Sequence, residues 1–404
     1  MSNFEIHLGT SQPVDGKVFV GIKVENDVPK VFFPYGYRYA NNEKEFRKDV
    51  LNLISNLTYF GQKKEHLLSS SDKKNHSFPI HAYIGVFVYY LNFGYYAERE
   101  TVYNIGDSGK INWKKTIETV RPQISKGHPV YLEYVVERKR QYDNEIITQI
   151  HKYCVYESYK KIGRLLGFPK PQKPELKFDK NLFQAVLQTK IASCFNERNL
   201  MLFRNMLDII LNISKETNVN GSFFGTYEFD YVWQSLVDIV FGVDNKEDFY
   251  PRYHYSKIVD GKKVLFHSQP LFPDTVMISE QDRKKYYILD AKFYQYDVTG
   301  SPSDLPKGDS INKQFSYAEF VKNKYNLDGN DVYNAFILPY KSSTNSNDYM
   351  PSHSITADAD WKKDAKNFER IECILLDIKS IMYRHPRHST NDIDELAKAI
   401  ENFD

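Results

Sequence analysis

The stretch FPDTVMISEQDRKKYYILDAKF, from Phe272 to Phe293, carries the residues best suited to chemistry. Two apolar, strand-like runs flank a polar stretch from Ser279 to Lys284. If the runs form a hairpin centred near Asp282, Asp274 falls opposite Asp290. Directly opposed residues on antiparallel strands sit roughly 4.5 to 5.5 Å apart. Two carboxylates at that separation repel unless a cation lies between them. Lys292 is two residues beyond Asp290 and so points to the same face of its strand. The set suits phosphodiester hydrolysis. Magnesium held by one or two carboxylates stabilises phosphate charge and activates water. A lysine can position that water, help deprotonate it, or stabilise the developing negative charge. Each residue also has a plain structural reading: Asp274 as a turn residue after Pro273, Asp290 and Lys292 as a surface ion pair. Asp-x-Lys alone is too common to weigh. Pro-Asp followed by Asp-Ala-Lys, with strand-like runs at both sites, carries more.

Elements on either side must position this set. A helix from Tyr227 to Phe241 places Phe229, Val232, Trp233, Leu236, Val237 and Val240 on one stripe, so it packs on a core. Glu228, in its first turn, either reaches the metal site through a water or simply answers the helix dipole. Downstream, KGDSINKQFSYAEFVKNKY reads as a helix with Asp309 or Ser310 as N-cap. Ile311, Phe315, Ala318 and Tyr325 form its expected buried face. Lys313, Gln314 and Tyr317 lie beside that face, placed to meet a phosphate or orient a water, or else solvated. With strands near Lys263–His267, Pro273–Ile278, Lys285–Phe293 and Val332–Leu338, the order is αβββαβ, an α/β or α+β core.

The remaining sequence bounds the setting. The 404 residues suffice for two cores. Strand-like runs at Val18–Val24 and Val31–Phe33 precede a helix over 43–57 and a polar loop over 62–77. Residues 78–168 read as mainly helical, with Ile84–Phe93 as a buried helix. Three prolines in FPKPQKPELK, Phe168 to Lys177, mark a junction between an N-terminal domain, 1–170, and a C-terminal domain, 178–404. Helices are expected at Leu182–Ser193 and Glu197–Ile213. A net charge of +2 neither announces nor excludes a nucleic-acid partner, because a groove needs only local basic residues. Candidates for phosphate contact are Glu137–Gln141, Arg252, His254 and Lys257, with solvated faces as the alternative. His385 and His388, in HPRH, have weak metal-ligand character and read as loop. The three cysteines, Cys154, Cys194 and Cys373, form no CxxC pair and support neither zinc nor a disulfide framework. No signal pattern opens the chain and no run of about 18 apolar residues occurs. A cytoplasmic protein with no membrane contact is expected.

Taken together, the pieces resemble a known group. YEFDYVWQSL at 227, FPDTVMI at 272, YILDAKF at 287, NKQFSYAEF at 312 and NAFILPY at 334 are similar to the PD-(D/E)xK nuclease superfamily. They look most like LlaJI-type restriction endonucleases and the related McrC nuclease subunits. FPYGYR at 33, FPIHAYIGVFVYYL at 78 and GKINWKKTI at 109 extend the likeness towards the N-terminus. The resemblance implies a restriction-endonuclease-like core in the C-terminal half and a mixed, largely helical N-terminal domain that contacts a partner or DNA. It assigns the two motif acids to Asp274 and Asp290, the lysine to Lys292, the helix glutamate to Glu228 and the later glutamine to Gln314. Asp274, Asp290 and Glu228 would be the metal ligands. Asp230 departs from the pattern as a competing helix acid, since residues two apart on a helix point nearly opposite ways.

The implied activity is Mg2+-dependent cutting of double-stranded DNA, with self-association for double-strand cutting and a McrB-like AAA+ GTPase partner. The chain itself shows no GxxxxGK[ST] loop. GDSGKIN at Gly106 lacks the upstream glycine and the adjacent Ser or Thr. Two other readings stay open: a non-catalytic DNA-binding or scaffold subunit, and a repair-type nuclease on the same core.

Overall fold

The computed structural model describes residues 5–8, 18–63, 76–142, 145–216, 222–280, 283–340, 351–362, 366–384 and 389–402. His385, His388 and most of the 62–77 loop lie outside them.

The fold is mixed α/β, and its chain divides into two compact units. One holds residues 1–25, 30–77 and 223–404, and the other 26–29 and 78–222. This division differs from a junction at Phe168–Lys177, which lies inside the second unit. A buried acid helps explain why the N-terminal segment joins the C-terminal half. Asp49, on the helix Glu43–Lys63, is 1% exposed. It accepts hydrogen bonds from Tyr37 Oη (3.1 Å), Ala40 N (2.8 Å) and Tyr383 Oη (2.9 Å), and pairs with Lys379 Nζ at 2.8 Å. Burying a charge is costly unless it is paired and hydrogen-bonded, and here it is both. Lys379 and Tyr383 belong to the helix Ile378–Arg384, so residues over 300 positions apart share one polar knot.

The first unit contains two five-stranded sheets. The smaller runs Glu5–Leu8, Val28–Phe33, Val20–Glu25, Ser222–Thr226, His76–Ser77. The larger runs Thr275–Ser279, Lys285–Ala291, Val332–Tyr340, Ile371–Asp377, Ser352–Ala357. Its outer pairings are antiparallel and its inner two parallel. The central strands read YYIL, FIL and CILL because both faces are covered. On one face Val276, Tyr286 and Ile288 pack with Tyr317, Ala318 and Val321 of the helix Gly308–Tyr325. On the other, Tyr287 donates its hydroxyl to Glu401 of the helix Thr390–Glu401, beside the helix Phe229–Phe241.

The αβββαβ expectation loses one strand from the sheet and gains two, Ser352–Ala357 and Ile371–Asp377. Lys263–His267 is not in this sheet. It pairs with His254–Val259 in a separate two-stranded hairpin whose residues are all exposed. Charged and apolar residues share both of its faces, so neither can be buried in a core.

The second unit holds the helices Ile80–Phe93, Ile146–Ser158, Lys180–Ser193 and Glu197–Glu216. The first is buried along Ile80, Ala82, Tyr83, Val86 and Phe87, whereas Leu91 and Phe93 are exposed, so it is not the wholly buried helix expected. Residues 98–142 are largely β rather than helical, with Glu98–Ile105 antiparallel to Val135–Tyr142. From Thr101 to Ile105 only Val102 is even partly covered, so no alternation marks this strand in the sequence. Among the described residues no helix is long and apolar enough to cross a membrane.

The smaller sheet hands the chain to Glu228 through Ser222–Thr226, and two glycines allow its strands to meet. A Cβ on Gly225 would lie 2.3 Å from Val20 O and 2.8 Å from Gly21 Cα. Gly21 adopts φ +144°, and its own Cβ would lie 2.2 Å from Phe224 O. Backbone cannot yield as a flexible side chain can. Gly225→Ala is therefore predicted to cost about 1–3 kcal/mol, as overpacking does. The check is the urea midpoint, and an unchanged midpoint would contradict this close approach.

Candidate active site

The site grows from the register of one hairpin. Val276 pairs with Ile288 and Thr275 with Leu289, so the next pair along brings Asp274 level with Asp290. Alternation puts both acids on the face of Val276 and Ile288, which the helix Gly308–Tyr325 covers. The strand order is extended past Ala291 by a hydrogen bond from Lys292 N to Ile337 O at 2.9 Å. Trp233 Nε1 donates to the same carbonyl at 3.3 Å from the opposite face. The lysine backbone is thus held at the sheet's end.

There Lys292 Nζ meets Asp290 Oδ1 at 2.7 Å, and both side chains are mostly buried. Asp274 Oδ2 accepts from Ala291 N at 3.2 Å. Burial, then the hydrogen bond and charge of Asp290, push the Asp274 carboxyl up to about 8, against the opposing pull of Lys292 and the Ala291 amide. For Lys292, burial disfavours the ammonium, but the charge and hydrogen bond of Asp290 outweigh it and raise its affinity for the proton. Two acids and one ammonium therefore form a mostly buried cluster in which a proton, or a cation of higher charge, relieves the repulsion.

The other expected site residues fall in different places. Gln314 is 1% exposed, so it belongs to the buried face of its helix rather than beside it. Its Nε2 donates to Ala335 O at 3.4 Å, and its Oε1 is buried without a hydrogen-bond partner. Tyr317 is also buried and donates to Phe272 O at 3.1 Å, two residues before Asp274. Burial and then the charges of Asp290 and Asp274 push its hydroxyl up to about 12. Ile311 and Phe315 are only half-buried and pack on a neighbouring cluster of Phe336, Leu338, Ile371 and Cys373. Lys313 is exposed.

Glu228 is the N-cap of its helix rather than part of the first turn, and its side chain makes no capping bond. Its amide donates to Thr226 Oγ1 at 2.9 Å, and Asp230 is exposed. Among the described residues no three Asp, Glu, His or Cys side chains are grouped to hold a metal ion. The structure thus brings together Asp274, Asp290 and Lys292, with Tyr317 nearby, and does not group Glu228 with the two acids as a third ligand.

One residue was missed by sequence reasoning. Lys246 ion-pairs with Asp238 at 2.6 Å and donates to Asp274 O at 3.2 Å, clamping the backbone that carries the first acid. It sits in a short 3-10 turn, and no spacing pattern ties it to Asp274.

Within the Glu137–Gln141 cluster, one cation has a structural partner. Arg138 is spent on the Ser108 turn, bonding its carbonyl at 2.9 Å and its hydroxyl at 2.5 Å. GDSGKIN runs from a turn through the strand Lys110–Ile111 to Asn112, whose side chain caps the short helix Trp113–Thr119, so a strand separates its glycines from the helix that a phosphate loop must open. The three cysteines are free.

The acid pair makes stability depend on pH when divalent ions are chelated. The folded-state value for Asp274, about 8, lies above the roughly 3.9 of an unfolded chain. The folded state therefore keeps a proton that the unfolded state gives up. This contribution is complete below about pH 4 and is lost as pH rises to about 8. In EDTA, the melting temperature of the parent should fall relative to Asp274→Asn between pH 5 and pH 8.5. A difference independent of pH would show that the two acids do not confront each other.

Comparison with known proteins gives this cluster a context. The sequence profile of the LlaJI restriction endonuclease family matches residues 19–357. The chain is 28% identical over 271 residues to the "Type II restriction enzyme BsuMI component YdjA" of Bacillus subtilis (strain 168), covering 63% of this chain. It spans only 56% of that relative's length. A chain of the half-complex of Thermococcus gammatolerans McrB AAA+ hexamers with bound McrC aligns over 95% of this chain and 83% of its own length. Identity there is 13% and the TM-score 0.34, too low to carry a shared fold. With its profile matched along most of the sequence, this protein belongs to the LlaJI restriction endonuclease family.

Proposed function

We propose that this protein is the endonuclease subunit of a restriction system, hydrolysing phosphodiester bonds of double-stranded DNA with Mg2+. The observation that carries the reading is the meeting of Asp274, Asp290 and Lys292 at one end of a sheet buried on both faces. Membership of a restriction endonuclease family supplies the substrate class. On this reading, the larger sheet with its helices on both faces is the PD-(D/E)xK core.

The donor set fits a hard cation. Both acids offer oxygen, and the raised affinity of Asp274 for a proton is the repulsion a divalent ion would relieve. Asp274 and Asp290 would hold Mg2+, which supplies Lewis acidity at the phosphate and a water of lowered pKa. The chain's own groups do the rest. Lys292, held as an ammonium by Asp290, donates to a phosphate oxygen and stabilises charge developing there. Lys246 and Tyr317 fix the backbone at Asp274 and at Phe272, two residues before it. Gln314 holds its helix to the strand beside Asp290 through Ala335. Glu228 is assigned an outer role, reaching the ion through a water.

The relative from Bacillus subtilis is called a component, which supports action within a multi-subunit system. A McrB-like AAA+ GTPase is the partner we propose. Self-association would let two copies cut opposite strands. The cytoplasm, where such a system meets DNA, is the expected location.

The test is supercoiled-plasmid cleavage in Mg2+, with and without the product of a neighbouring AAA+ gene. Asp274→Ala, Asp290→Ala and Lys292→Ala should each lower the rate by about 100-fold or more, the scale of losing one transition-state stabilising group. Circular dichroism and melting should show each variant folded. Three folded variants that cut like the parent would overturn the assignment.

A further inference from the structure

Between Arg252 and His267 the chain leaves the core. The strands His254–Val259 and Lys262–His267 pair only with each other, and every residue of both is exposed. Such a two-stranded hairpin is marginal on its own. This one turns tightly through Asp260 (φ 49°) and Gly261 (φ 75°), the left-handed pair a two-residue turn requires. With six residues in each strand it projects roughly 20 Å.

Its base is fixed to the candidate active site. Ser268 N donates to Tyr253 O at 2.9 Å and Leu271 N to Pro251 O at 3.0 Å. The rings of Tyr250 and Phe272 meet edge-on at 4.9 Å, and Tyr317 bonds Phe272 O at 3.1 Å. Asp274 follows two residues after Phe272. Whatever the hairpin touches is therefore held beside the acid pair.

Its charge selects the occupant. From 252 to 267 the cations are Arg252, Lys257, Lys262 and Lys263, with His254 and His267 at the base, and Asp260 at the turn is the one acid. Among the described residues none of these four cations is ion-paired. Lys257 and Lys262 share one face with Tyr255 and Phe266, while Lys263 lies on the other. A two-stranded ribbon fits the major groove of duplex DNA, about 12 Å wide, and 20 Å of reach covers more than half of its roughly 34 Å helical repeat.

We infer that the hairpin 254–267 is a DNA-gripping arm that lies against the duplex next to the cleavage site and holds it through Lys257, Lys262 and Lys263. The inference rests on the nuclease reading above. It adds a binding element that none of the acid-pair chemistry requires.

The experiment is fluorescence anisotropy of the full-length chain with a labelled 30-base-pair duplex, at several salt concentrations in EDTA and in Ca2+. Lys257→Ala/Lys262→Ala/Lys263→Ala should melt with the parent, since these side chains touch no core. It should bind at least about tenfold more weakly near 100 mM salt. The slope of log affinity against log salt should become shallower by about 2 to 3, because each phosphate contact contributes about 0.9. A triple variant with the parent's affinity and slope overturns the arm. If that parent also cuts DNA, the nuclease reading survives alone. A parent that binds no duplex at any salt concentration overturns both. If the lysine variant binds like the parent while Tyr255→Ser/Phe266→Ser loses self-association in sedimentation, the hairpin is a protein-docking surface and the DNA arm is likewise overturned.

Discussion

Two carboxylates held side by side at a mostly buried sheet end repel each other unless a proton or a cation lies between them. Asp274 and Asp290 are in that position because the strand pairing Val276↔Ile288 leaves no other register for them. A slip of one residue would send one acid to the opposite face. The burial of Val276, Tyr286 and Ile288 against the helix Gly308–Tyr325 makes such a slip costly. The same packing that stabilises the sheet therefore sets the distance between the acids, and the repulsion is sustained by the core around it.

The supporting contacts converge on the ends of these two strands. Ile337 O accepts from both Lys292 N and Trp233 Nε1, linking the ammonium-bearing backbone to the helix on the far face. Lys246 and Tyr317 bond carbonyls at Asp274 and Phe272. Preorganised charge is worth more than charge that must be arranged during the reaction, because no reorganisation is needed in the transition state. The Asp49 knot lies elsewhere in the same unit and keeps the N-terminal segment attached to it.

The acid pair and the lysine were legible because they sit where an apolar strand ends abruptly in charge, and strand alternation fixes which side chains share a face. The stripe of the helix Phe229–Phe241 was legible for the same reason, with all six expected positions buried. Other features carry no such local signal. Gln314 and Tyr317 are polar yet lie at the centre of their helix's buried face, a placement decided by the carbonyls of Ala335 and Phe272 across the structure. Lys246 reaches Asp274 across 28 residues. From Thr101 to Ile105 only Val102 is partly covered and every strand residue of the 254–267 hairpin is exposed, so the alternation that reveals a half-buried strand is missing there, although Lys263–His267 read as a strand. The proline-rich segment looked like a boundary, but the partition of the chain follows distant pairings such as Asp49 with Lys379.

The central claim is that the two acids are built to grip one divalent ion. Anomalous diffraction from a crystal soaked in Mn2+ reads this directly. The account predicts a peak bridging Asp274 and Asp290, about 2 Å from a carboxylate oxygen of each, as for a small hard cation. A manganese peak elsewhere in the chain with none between these acids would contradict it.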